Sequence, residues 1–286
     1  MLSITQPAVA PIQPPLSATF ARMAQLSSYL KADIADTVPA TAISPQVLFD
    51  PRGNYLTEQI EQTQQRLRTQ ARAVVGSSIL QAYQWPLIST LLACYLLERR
   101  IPDLRIENCL LGYQQGAVTG LFLRRGTCFV LANDPAAKHP DARVLADLPT
   151  MQLLLRTSIE THFGQVIEWI CQGVGCQPRG LWLNVADRCA STMLWLMQLQ
   201  NPNTPVEVLE QAVNMLIKVP GSPLTNRQIG LITLQHGERT ATFLQRASCC
   251  YFYKQDGGEY CSTCPHRTAE DRRERLQQYL ANQHES

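Results

Sequence analysis

Along the first third of the chain the apolar positions fall three and four residues apart. In "NYLTEQIEQTQQRLRTQARAVVGSSILQAY" that spacing predicts helix, and Pro86 opens a buried apolar segment behind it. A further helix is predicted from about Ser17 to Ala35, after a proline-rich, aperiodic arm over residues 1–16. From Arg105 the pattern changes: "RIENCLLGY", "AVTGLFLRR" and "GTCFVLA" are short β-prone runs separated by Gly112, Gly116 and Gly126. They read as antiparallel strands joined by tight turns. Helical spacing returns in "LPTMQLLLRTSIETHFGQVIEWICQ", in "GLWLNVADRCASTMLWLMQLQ" and from Pro205 to Ile217. "IGLITLQHG" and "RTATFLQRAS" then predict a hairpin turning at His236 to Glu238, whose second strand runs straight to Cys249. The sum is an α+β protein with one central antiparallel sheet flanked by helices.

Composition agrees: 286 residues, 45% hydrophobic and 17% charged, suit a folded protein with a sizeable core. The net charge of +2 is spread along the chain, so there is no electrostatic footprint for nucleic acid. "WPLISTLLACYLL" is thirteen residues long, short of the roughly 20 that a spanning helix needs. "MLSITQPAVAPIQPPLSA" lacks a basic n-region, so no secretory signal is expected. The expected setting is the cytoplasm, with peripheral association at the inner face of the membrane left open. In a reducing compartment clustered thiols bind metal or do redox work more often than they form structural disulfides.

One stretch is such a cluster. "CCYFYKQDGGEYCSTCP" holds four of the ten cysteines, Cys249, Cys250, Cys261 and Cys264. Cys94, Cys109, Cys128 and Cys189 read as small buried hydrophobes, and Cys171 and Cys176 as a helix end with a glycine-rich turn. Neighbouring residues of a strand point to opposite faces, so the backbone must turn at Cys249 and Cys250 if both are to reach one centre. "YFYK" followed by "QDGGE" predicts a hairpin that returns Cys261 and Cys264 to the first pair. Four thiolates suit tetrahedral zinc or a two-iron, two-sulfur cluster. The adjacent pair departs from the usual zinc knuckle and favours the iron dimer; zinc stays open, and vicinal disulfide chemistry comes third.

"RASCCYFYKQDGGEYCSTCP" resembles the C-terminal signature of the FhuF family of ferric siderophore reductases, C-C-x10-C-x2-C. Arg246, Ser248, Tyr253, Gly257, Gly258 and Pro265 match it alongside the four cysteines. "LWLNVADRCAS" resembles the family's "LWGN" stretch, with Leu183 where glycine is common. The resemblance implies a two-iron, two-sulfur cluster on Cys249, Cys250, Cys261 and Cys264, and reductive release of iron from an imported ferric siderophore. The chemistry is coherent, because Fe(III) is a hard cation held by oxygen donors and Fe(II) ranks low in ligand affinity. The chain is expected to divide into three parts: the arm 1–16, an α+β substrate-binding domain over 17–245, and a cluster segment with a short helix over 246–286.

Trp182, Asn184, Arg188 and Arg246 are the candidate substrate-binding residues. The competing reading makes Trp182 core and Asn184 a helix N-cap. Arg246, Lys254, His266 and Arg267 flank the ligands as tuning cations or as solvated charge, and His266 is not needed as a ligand. Thr268 is a candidate N-cap of the last helix, whose Arg272, Arg273 and Arg275 form a wet face or a dock for an acidic donor. No dinucleotide or Walker fingerprint is present, so electrons are expected from an external donor: a ferredoxin-like protein, a flavin reductase or a small reductant. The alternative from a different class is a siderophore-binding or carrier module whose thiols hold structural zinc or an inert cluster.

Overall fold

The computed structural model of the chain describes residues 14–35, 39–114, 117–254 and 257–282. Of the expected N-terminal arm, residues 1–13 lie outside the described residues, as does the turn at Gly116. The helix α1 spans Pro15–Leu26, beginning on a proline whose fixed φ suits a first turn. It ends well before Ala35, because residues Ala32–Ile34 form a strand, β1, instead. After β2 (Ala42–Ile43) come the short α2 (Pro45–Leu48) and α3 (Asn54–Leu67). Arg68 takes a left-handed conformation, φ +48°, and breaks the expected continuous helix, so that α4 starts afresh at Arg72 and runs to Glu98.

Pro86 does not open a segment; it sits inside α4. There it removes one backbone donor. Nearby, Ser89 Oγ donates to the carbonyl of Trp85 (2.7 Å). α4 is buried on nearly every side from Val74 to Tyr95, as befits a central helix without a polar stripe.

Next come β3 (Ile101–Pro102), β4 (Cys109–Gln114), β5 (Ala117–Leu123), β6 (Cys128–Leu131) and β7 (Ala142–Leu145). They are followed by α5 (Leu148–Val174), α6 (Pro178–Gln200) and α7 (Val206–Ile217), then by β8 (Gly230–His236), β9 (Arg239–Gln245) and α8 (Ala269–Asn282). Asp147 caps α5, its Oδ1 accepting from Thr150 N at 2.8 Å.

The class is α+β, but among the described residues the single central antiparallel sheet is replaced by three small ones. Their strand orders are β1-β5-β4-β2, β3-β6-β7 and β8-β9. The first two each contain a parallel pair, β1 with β5 and β6 with β7. The predicted hairpin is present as β8–β9, with His236 opposite Arg239 and Gly237 at φ +60° in the two-residue loop. One contiguous core runs from Leu16 to Leu244, with α4 and α6 packed together within it. Cys94, Cys109, Cys128 and Cys189 are buried there as expected. Among the described residues no helix is long and apolar enough to cross a membrane.

Candidate metal centre

β9 ends at Gln245, and the residues after it are pinned to α6 by one carboxylate. Asp187, 3% exposed in the middle of α6, accepts from Arg246 Nε (3.2 Å) and from the backbone N–H groups of Ala247 (3.3 Å) and Ser248 (3.0 Å). Ser248 Oγ donates to it as well. Cys249 and Cys250 follow outside any strand. The chain reverses at Tyr251, whose φ of +58° is rare for a residue with a side chain. Tyr251 N donates to Cys249 Sγ at 3.3 Å, the kind of bond that stabilises a thiolate. The turn required for two neighbouring thiols to share a centre is therefore present.

The expected spacer hairpin is absent among the described residues. Phe252–Lys254 form one turn of 3-10 helix, which shortens the span without strand pairing. The second thiol pair sits in a tight turn in which Cys264 N donates to Cys261 O at 3.0 Å. Arg267 ties that turn down through Nε to the Cys261 carbonyl (3.0 Å) and through the guanidinium to the Tyr260 carbonyl. Its other arm reaches Asp271 at 2.6 Å in the first turn of α8. Arg272 donates to the Cys264 carbonyl at 3.3 Å, and Thr268 Oγ1 accepts from Asp271 N at 3.2 Å, as a cap should.

The thiols couple electrically across the gap. A hydrogen bond with Cys261 draws the Cys250 thiol well below the usual range, and the N–H of Phe252 and the Arg246 guanidinium push the same way against burial. The same interaction, with burial, pushes Cys261 up. Burial raises Cys249, which also feels Cys250 and Cys264. Among the described residues no three Cys, His, Asp or Glu side chains converge tightly enough to hold a single ion. A two-iron cluster asks for something else, four soft sulfur donors spread over two metals, with cations to offset its charge. The four half-buried or buried thiols and the facing guanidinium of Arg246 fit that demand.

The flanking cations divide by role. Arg246 faces Cys250 and Cys261, whereas Lys254 lies over the rings of Tyr251 (5.5 Å) and Tyr253 (5.9 Å). His266 packs against Tyr253 and Tyr260, with centroids 5.4 and 5.7 Å away. Arg275 pairs with Asp271 at 2.8 Å, so part of the basic run on α8 serves its own helix.

Beside the thiols lies a cavity of about 200 Å³ between α4 and α6, with Arg246 and Asp187 in its wall. Asn184 and Arg188 line it, so three of the four candidate substrate residues meet there. Trp182 does not; it packs against the core near Gly164 of α5, as its competing reading had it. Nor is Asn184 a cap, since α6 begins at Pro178 and the Asn184 amide donates to Gly180 O within the helix (2.9 Å).

Sequence reasoning missed Asp187 and Gln84. The signal for Asp187 was available: a carboxylate on a helix face shared with Leu183, Ala190 and Leu194 must be buried, and a buried carboxylate needs partners. Gln84 gave no such signal, because a glutamine in helical context reads as surface. A larger cavity, about 390 Å³, lies elsewhere, between the Asp103–Glu107 loop and α5 around His162. It shares no residue with the thiol site.

Comparison with protein families adds two matches. Residues 77–209 match the family described as ferric iron reductase FhuF-like transporter, and residues 246–266 match the FhuF 2Fe-2S C-terminal domain. The second match gives this segment a two-iron, two-sulfur cluster as its cofactor. No curated protein matches the chain.

Proposed function

Because the chain belongs to the FhuF family, with an iron-sulfur, ferric siderophore reductase-like role, we propose that it reduces siderophore-bound Fe(III) in the cytoplasm. The observation that carries this reading is the meeting of two thiol pairs, one at the end of β9 and one ahead of α8, under Arg246. Cys249, Cys250, Cys261 and Cys264 are the proposed ligands. When bound, the cluster supplies one-electron chemistry, and an electron gained by the chelated iron leaves Fe(II), which oxygen donors hold weakly.

The chain's own residues do the rest. Asp187 fixes where Arg246 and the first thiol pair sit. Arg246 offsets thiolate charge at Cys250 and Cys261. Arg267 and Arg272 hold the carbonyls of the second turn. Residues 17–245 present the chelate, residues 246–286 carry the cluster, and a separate donor supplies electrons.

The test is the visible spectrum of protein purified without oxygen, with iron and zinc assayed. Bleaching by dithionite and recovery on adding ferric siderophore, at about two irons per chain, is the expected outcome. Serine at any one of the four cysteines is expected to lose the colour and the chelate reduction together. A colourless protein with one zinc per chain, or full turnover in a clusterless variant, would sink the reading.

A further inference from the structure

The cavity beside the thiols has an unbalanced charge. Two guanidiniums and one carboxylate line it, those of Arg188, Arg246 and Asp187. The carboxylate is already committed: one oxygen takes Arg246 Nε and Ser248, and the other takes Ala247 N. Asp187 therefore offsets Arg246. Among the described residues no carboxylate pairs with Arg188, whose guanidinium lies 5.5 Å from the Trp85 ring and whose buried Nε has no hydrogen-bond partner. Burial and the neighbouring Arg246 both disfavour its charge.

Across the cavity stands a second orphan. Gln84 of α4 is 2% exposed, and its Oε1 is buried without a partner. An unmatched buried polar group costs about 1–3 kcal/mol, and more when charged. An unmatched cationic donor and an unmatched amide on the walls of one small cavity point to an occupant that satisfies both. An anionic oxygen answers Arg188, preferably two oxygens in a plane that match the guanidinium fork. An N–H or O–H donor answers Gln84, whose unpartnered atom is the acceptor Oε1.

We propose that this cavity seats a peripheral carboxylate arm of the ferric chelate, its metal-free carboxylate on Arg188 and a metal-free N–H or O–H donor of the same arm on Gln84 Oε1. The inference rests on the reductase reading and narrows it: the preferred substrates carry free or peripheral carboxylates, and electrically neutral chelates forgo this contact. A space of about 200 Å³ admits such an arm but not a whole siderophore, so the cavity recognises one part of the substrate beside the thiol site.

The test is calorimetric titration of the cluster-loaded protein with gallium(III) citrate, a redox-inert stand-in for ferric citrate, alongside free citrate and a neutral gallium trihydroxamate. Gallium citrate is expected to bind at one site per chain, more tightly than free citrate, with affinity falling as salt rises. Arg188→Gln should weaken it at least tenfold, while the visible spectrum and circular dichroism match wild type. Arg188→Lys, which keeps charge but loses the fork, should fall between and guards against a misfolded glutamine variant. Equal affinity in wild type and both Arg188 variants, preference for free citrate, or no binding of gallium citrate to wild type would each overturn the proposal. If the trihydroxamate ferric complex is reduced while gallium citrate fails to bind, only this inference falls. If gallium citrate binds as described and no chelate is reduced, the cavity stands and the reductase reading falls.

Discussion

Asp187 gathers four donors around one buried carboxylate, so its loss removes more than an ion pair. Asp187→Ala leaves Arg246 and two backbone N–H groups without their acceptor. The expected loss of stability is about 3 kcal/mol by urea unfolding, with lower iron content in the purified protein. Asp187→Asn keeps one oxygen and should lose less. A wild-type-like denaturation midpoint in the alanine variant would show that the network is idle. A second buried polar residue, His162, carries the pH dependence. Its Nδ1 donates to Leu104 O (2.6 Å) and its Nε2 accepts from Tyr83 Oη (2.5 Å), while burial lowers its pKa to about 4. An unfolded histidine takes its proton near pH 6.5, so between pH 6.5 and 4 the unfolded chain binds more protons than the folded one. The contribution of neutral His162 is whole above pH 6.5 and is lost as pH falls towards 4, a difference of about 3 kcal/mol. Unfolding measured from pH 7 to 4.5 should show that slope in wild type and lack it in His162→Gln.

At the scale of elements, α5 and α3 meet through a glycine. A Cβ at Gly173 would lie 2.5 Å from Leu56 Cδ2, closer than atoms pack, and Leu56 is itself buried. Gly173→Ala is expected to cost about 1–3 kcal/mol. Adding Leu56→Ala should relieve the clash, so the double variant loses less than the sum of the singles in a denaturation cycle. The same scale shows what was legible in the sequence. α5, α6 and α7 and the β8–β9 hairpin were readable because their signal is local: a period of 3.6, or two β runs about one short turn. The three-residue β1 was not. It exists because Ala32–Ile34 pair in parallel with Leu121–Leu123, and no local pattern encodes a partner so far along the chain. For the same reason the one expected sheet became three. Pro86 misled because a proline usually starts or ends a helix, whereas here packing on all sides holds α4 together around it. Of the site, the four cysteines were plain from spacing. The cavity was only half visible, since its far wall comes from α4, a hundred residues before Asn184.

In the whole molecule the thiol segment is clasped from two sides by one hairpin. β9 delivers Cys249 and Cys250, and α8 returns to lay Leu276 and Leu280 on Leu234 of β8, in an apolar cluster separate from the main core. Tyr279 packs on Phe243 with centroids 6.1 Å apart, and Gln277 donates to Gln235 O at 2.7 Å. The second thiol pair hangs from the start of α8 through Arg267 and Arg272. Leu276→Ala with Leu280→Ala should therefore undock α8, at about 2–5 kcal/mol for each side chain, and lower iron per chain, while far-UV circular dichroism keeps most of its helix signal. Unchanged iron content would mean that the second pair holds itself in place. Arg246 has a larger consequence, because it acts on Cys250 and also lines the cavity. Two sites that share a charge are thermodynamically linked, and linkage is reciprocal. An anion seated on Arg188, beside Arg246 in the cavity, adds negative charge near the thiols and makes their side harder to charge negatively. By the same factor, added negative charge on the thiol side loosens the anion, so a reduction event would itself prepare the seat to empty.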